Sequence, residues 1–129
     1  MLEIDGFGGA ANAPERGKDT SITQRSSIMK LQWQCYWQNK AEDAGRLKFM
    51  DEFYTRMYTG PHVPAEFQGT PFGEQYEGCY INYADVDMLR YSYWPELYYG
   101  QTGLYPFLHD VKRRYDPNNI FHHSMSIRL

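Results

Sequence analysis

Between Ile22 and Trp37 the chain alternates more strictly than anywhere else. Met29, Leu31, Trp33, Cys35 and Trp37 fall on one side, and Lys30, Gln32, Gln34 and Tyr36 on the other. A period of two belongs to a β-strand, in which successive side chains leave opposite faces, so this segment is predicted to be a strand with one buried face. Such a face needs a partner. Ala41 to Thr59 supplies one, with Leu47, Met50, Phe53, Tyr54 and Met57 at helical spacing and Arg46, Lys48, Asp51, Glu52 and Arg56 between them. That pattern predicts an amphipathic helix packed on the sheet and ended by Gly60 and Pro61.

The remaining segments are shorter. Leu2 to Ala11 reads as a strand opening into Gly6, Gly8 and Gly9, where backbones approach closely or φ turns positive. Asn12 to Ser21 is polar loop. The Pro- and Gly-rich stretch from Gly60 to Gly78 is expected to be a long loop that either covers something or is partly mobile. Cys79 to Tyr83 is a short β-prone run, Asp85 and Asp87 mark a turn, and Tyr91 to Tyr99 has no clear period. Gly100 to Thr102 then leads into a second helix, in which Leu104, Phe107, Leu108, Val111 and Tyr115 share a stripe, Pro106 is tolerated in the first turn, and Asp116-Pro117 is the stop. Two helices with about three strands make an α+β unit.

At 129 residues the chain is expected to be one domain, 1–129, able to bury roughly two thirds of the surface of its unfolded form. Aromatic side chains make up 17%, including 12 Tyr, a residue suited to places half apolar and half wet. The excess fits a ligand cleft, a subunit interface, or a Tyr-rich core with its hydroxyls at the surface. A net charge of −3 and a pI near 5.8 offer no basic field for a phosphate backbone, so no nucleic acid partner is expected. A mean hydropathy of −0.70 indicates a soluble chain. Glu3 and Asp5 stand where a signal peptide would be basic and then apolar, and nothing approaches the roughly 20 apolar residues of a membrane span. Cys35 and Cys79, in strand-like runs without metal-ligand spacing, read as reduced packing residues, which makes a cytoplasmic setting the default.

For chemistry, the sequence has no Gly-rich phosphate loop, no serine in a nucleophile elbow, and in His122 and His123 an adjacent pair whose rings diverge in regular structure, so no metal site is expected. Two groups remain. Lys30, Gln32 and Gln34 line one side of the long strand, either facing water or flooring a cleft. Tyr80-Ile81-Asn82-Tyr83 is either an aromatic edge strand or, if a bend joins its two alternating faces, a site. A tyrosine acts as a general base only when a neighbouring cation or hydrogen bonds to the phenolate lower its pKa of about 10, and Lys30 is a candidate cation.

Tyr80-Ile81-Asn82-Tyr83-Ala84-Asp85-Val86-Asp87, Trp94, Tyr98-Tyr99-Gly100, Leu108, Val111-Lys112, Tyr115-Asp116-Pro117-Asn118-Asn119-Ile120-Phe121 and Ser126-Ile127 together resemble the C-terminal signature of berberine-bridge-type FAD-linked oxidases. Gly8-Gly9-Ala10, Arg25 and the strand from Ile28 to Trp37 resemble the segments preceding it, so the resemblance covers essentially the whole chain. Met125 stands where Gln is usual before Ser-Ile. The resemblance implies an antiparallel sheet with helices packed on one face, a fragment of the substrate-binding half of such an oxidase. The family's FAD-binding domain, which often carries the His and Cys bonded to the flavin, would lie before Met1 and is absent from this sequence.

By the same resemblance, the position of Lys30 holds either a Glu acting as catalytic base or a Lys that tunes a catalytic Tyr, and Lys favours the second. Tyr80 and Tyr83 match positions that supply active-site side chains, Asn82 and Tyr80 face the flavin side, and Gln32 lines the substrate cleft, with Gln34 beside it. The implied reaction has a phenolate take a proton from a substrate hydroxyl, a hydride pass to FAD, and dioxygen reoxidise it. The implied partners are a flavin-binding domain or chain and a small-molecule substrate. Three readings follow: a part of an oxidase, a free-standing ligand-binding or assembly module that tends to homo-oligomerise, and a truncation product with no role of its own.

Overall fold

In the computed structural model, which describes residues 1–13, 20–22, 24–100 and 103–129, the alternating segment is a strand only over β2 (Met29–Trp33). It pairs antiparallel with β1 (Leu2–Gly6), in a register that sets Leu2 opposite Trp33, Ile4 opposite Leu31 and Asp5 opposite Lys30. Phe7 N donating to Ile28 O at 3.0 Å and Gln34 N donating to Met1 O at 2.9 Å extend the ladder at both ends. Most of the polar loop expected from Asn12 to Ser21, together with Thr23, lies outside the described residues.

The expected buried face is not formed. Ile4 is 60% and Met29 47% exposed, while Trp33, at the end of β2, packs on another element. That element is α1 (Asp43–Met57), entered through a 3-10 turn at Lys40–Glu42 that Asn39 caps by accepting from Ala41 N. Phe53 meets Trp33 edge-on at 5.0 Å, and Trp33 Nε1 donates to Tyr58 Oη at 3.5 Å. Leu47, Phe49 and Met57 remain at the surface. The helix therefore packs on the sheet as its pattern predicts, but through one end of its apolar stripe.

The core lies elsewhere. Phe72, Met88, Trp94, Leu97, Tyr98, Tyr99 and Met125 form one buried cluster. Its centre is α2 (Trp94–Tyr99), a helix begun by Pro95 in its first turn and ended at Gly100, where φ is +77°. Trp94, Leu97 and Tyr98 share a face at i, i+3 and i+4, which accounts for the aromatic run that showed no period over so short a length. The expected lead-in at Gln101 and Thr102 lies outside the described residues. α3 (Leu104–Tyr115) follows Gly103 and has the predicted span. Leu104, Tyr105 and Leu108 rest on the core, whereas Phe107 and Tyr115, placed on the same stripe by spacing, face outward because the core meets only one side of the helix. After α3, the Asp116 carboxylate accepts from Ile120 N at 2.7 Å and Phe121 N at 3.0 Å and pairs with Lys112. Met125, the departure from the family pattern, is wholly buried.

The stretch from Gly60 to Gly78 is not an open loop. Gln68 bridges it, accepting from Gly60 N at 2.8 Å and donating to Gly60 O at 3.0 Å, while Val63, Thr70 and Phe72 are buried. It contains a small hairpin of β3 (Phe72–Gly73) and β4 (Tyr76–Glu77). Gly78 closes this region at φ +88°, and a Cβ there would stand 2.1 Å from Leu97 O. The following residues correct a second expectation: Cys79 to Tyr83 is not a strand, and Ile81–Tyr83 is a 3-10 turn. Cys35 and Cys79 are free and both lie outside strands. No helix among the described residues is long and apolar enough to cross a membrane.

Candidate active-site cleft

The 3-10 turn brings together what strand alternation would have separated. Tyr80 and Tyr83 meet edge-on with ring centroids 5.3 Å apart, and Asn82 Nδ2 donates to Tyr80 Oη at 2.7 Å. From β2, Lys30 reaches over this pair, its Nζ 5.3 Å from the Tyr80 ring centroid and 4.8 Å from that of Tyr83. The same ammonium donates to Tyr83 Oη at 3.2 Å and pairs with Asp5 at 3.1 Å. The hydrogen bond to Asp5 and then that to Tyr83 hold the Lys30 ammonium above its ordinary pKa of 10.5, so it is charged at neutral pH. An ammonium has no lone pair and only donates, so the Tyr83 oxygen accepts.

These groups stand on an open cleft of about 890 Å³. Lys30, Gln32 and Trp33 line its β2 side, and Tyr80, Asn82 and Tyr83 the opposite side. Gln34 does not take part. Its amide donates to Glu3 at 3.0 Å, and it borders a separate apolar hollow with Met1, Leu2 and Phe49. The alternating face therefore divides, with Lys30 and Gln32 in the cleft and Gln34 beyond its end.

Two carboxylates that the sequence reading did not single out shape this geometry. Glu77, on β4, accepts from the backbone N–H groups of Arg25, Ser26 and Ser27 and from the Ser26 hydroxyl at 2.7 Å and the Ser27 hydroxyl at 2.5 Å. Burial raises its pKa, but the Ser26 and Ser27 hydroxyls and the backbone donors outweigh that and bring it down to about 2. Gln24 strengthens the same junction by donating to Glu77 O and Cys79 O, both at 3.1 Å. Together they fasten the segment entering β2 to the segment entering the tyrosine turn. Asp5 is the second, and its only sequence signal is the polar alternation of Glu3 and Asp5 along β1, which names no partner until the register is known.

The thiol beneath the turn is held in its protonated form. Burial pushes Cys79 up to about 12, with Tyr54 Oη 3.7 Å from its sulfur. Burial also holds the hydroxyls of Tyr54 and Tyr98 above their ordinary range. Buried Tyr98 and half-buried Tyr54 support the wall. The tyrosine excess thus falls mainly in the core and around the cleft, with Tyr36 and Tyr115 at the surface.

Residues 79–128 match the family described as "Berberine and berberine like". Over 98% of the chain, the sequence is 38% identical to a hexose oxidase of Chondrus crispus and 35% identical to an aclacinomycin-N/aclacinomycin-A oxidase of Streptomyces galilaeus. It spans only 24% and 23% of those relatives. Among solved structures, GilR, an oxidoreductase catalysing the terminal step of gilvocarcin biosynthesis, superposes on 99% of the chain with a TM-score of 0.83 at 35% identity, the match covering 26% of that enzyme.

Proposed function

This chain belongs to the berberine-bridge-type family of FAD-linked oxidases, as a C-terminal portion, and from that premise we propose that it forms the substrate side of an oxidase active site and caps a flavin held by another domain or chain. The observation carrying this reading is the convergence of Lys30 on Tyr83 Oη at the edge of the cleft, where a substrate hydroxyl can reach the same oxygen. Tyr83 Oη, held beside the Lys30 ammonium, is the proton acceptor for that hydroxyl. Tyr80 and Gln32 orient the substrate, and Asn82, tied to Tyr80, presents its amide to the flavin side.

The residues fit a capping role. An aromatic, open-sided cleft with an amide at its rim suits the edge of a planar ring system, whereas the chain has no Gly-rich loop to cradle a dinucleotide's phosphates. Bound FAD would supply the two-electron acceptor and pass the electrons to dioxygen, while the chain contributes orientation, proton transfer and electrostatics. The substrate is an alcohol, sugar or natural product bearing an oxidisable hydroxyl, which the names of the relatives support.

A second reading, a non-catalytic ligand-binding or assembly module, draws on the exposed apolar side chains Leu47, Phe49 and Phe53 of α1. One experiment separates the two. Protein purified from its native host is expected to show flavin bands at about 370 and 450 nm and to consume dioxygen with alcohols or sugars. A colourless oligomer of this chain alone would favour the module.

A further inference from the structure

Lys30 sits at the open end of a long, flexible side chain, with a side-chain exposure of 26%, and an ammonium in that setting ordinarily snorkels into water. Here it does not. Asp5, directly across the β1–β2 ladder, meets it at 3.1 Å. We propose that Asp5 is the positioning residue of this site, fixing the Lys30 ammonium in the gap between β1 and the tyrosine turn so that it is presented to Tyr83 Oη. The proposal rests on the catalytic reading of Lys30 and Tyr83 given above.

An isolated surface ion pair contributes little, because two side chains must be immobilised for one screened contact. This pair differs in what the ammonium also touches. The Tyr83 hydroxyl at 3.2 Å and two ring faces at 4.8 and 5.3 Å also hold it, so Asp5 adds to a set of contacts that already constrains Lys30. Asp5 has only two side-chain torsions, and its strand register leaves it little freedom to follow Lys30 elsewhere. The charged and titratable groups facing Lys30 are Asp5 from β1 and Tyr80 and Tyr83 from the turn. The other carboxylates lining the cleft are Asp51, Glu77, Asp85 and Asp87. Glu77 is committed to the backbone at Ser26 and Ser27, and Asp51 to Arg90.

A double-mutant cycle in the flavin-loaded enzyme tests the proposal, together with a ¹³C NMR titration of the Lys30 side chain in this chain, its resonance assigned by loss in Lys30→Met. Asp5→Ala is expected to lower kcat about tenfold with a smaller change in KM, and to cost nothing further in a Lys30→Met background. The Lys30 titration midpoint is expected to fall in Asp5→Ala, with Asp5→Glu restoring both readouts in part. An unmoved midpoint, or an Asp5→Ala loss equally large without Lys30, would overturn the proposal. If Lys30→Met and Tyr83→Phe both retain full turnover, the catalytic reading fails instead, and the titration alone decides whether Asp5 holds Lys30.

Discussion

Between Thr70 and Gly100 most large side chains turn inward, Tyr83 and Val86 excepted, whereas along β1, β2 and α1 many of them stay at the surface. The contrast runs against sequence regularity. The sheet and α1 carry the strict two- and helical-period patterns, yet the core is assembled from an aperiodic stretch of short turns around α2. Periodicity states which side chains share a face, and burial requires a second surface shaped to meet that face. The tyrosine turn has such a surface in Leu97, whose carbonyl accepts from Cys79 N at 2.7 Å, whereas β1 stays largely exposed. The cleft lies on the boundary, taking Lys30 from the loosely packed side and Tyr80 and Tyr83 from the densely packed one.

If that contrast holds, substitutions on the two sides differ sharply in cost. Leu97→Ala, at a fully buried position, is expected to destabilise the chain by about 3 kcal/mol in denaturant unfolding. Gly78→Ala is expected to cost about 2 kcal/mol, since it adds a Cβ at positive φ against the Leu97 carbonyl. Exposed Phe49→Ser should change stability by less than about 0.5 kcal/mol, and a loss approaching that of Leu97→Ala would break the comparison.

Acid sharpens the comparison at the junction. Glu77 has a folded pKa lowered to about 2 from an ordinary 4.5, so its contribution is present above 4.5 and is lost as pH falls toward 2. Amide exchange is expected to rise first at Arg25, Ser26 and Ser27 within that window, ahead of the core around α2. Glu77→Gln should flatten the acid dependence of stability there, and an unchanged profile would count against the junction.

The sequence made part of this legible. The α3 span and its Asp116-Pro117 stop were readable because stripe and terminator coincide, and the Lys30, Tyr80 and Tyr83 grouping was readable from the family signature. β2 was drawn too long because alternation continues through Cys35 and Trp37, while the hydrogen-bonded ladder ends at the limits of β1. Tyr80-Ile81-Asn82-Tyr83 was ambiguous because four residues of high β-propensity do not reveal a 3-10 turn, which is imposed by neighbouring bonds such as Asp85 N to Tyr98 Oη at 3.0 Å. Asp5 and Glu77 were silent because each acts across more than 20 residues of chain, at Lys30 and at the 25–27 backbone. Gln34 shows the converse error: a shared face in sequence does not place a side chain in the same cavity.

The central claim, that Lys30 and Tyr83 carry proton transfer in an FAD-linked oxidase, is tested most directly by dioxygen consumption of the full-length flavoprotein bearing Tyr83→Phe, Tyr80→Phe or Lys30→Met. Turnover is expected to fall at least about tenfold in each, with unfolding midpoints unchanged because none of these side chains belongs to the core. Full turnover in all three would contradict it.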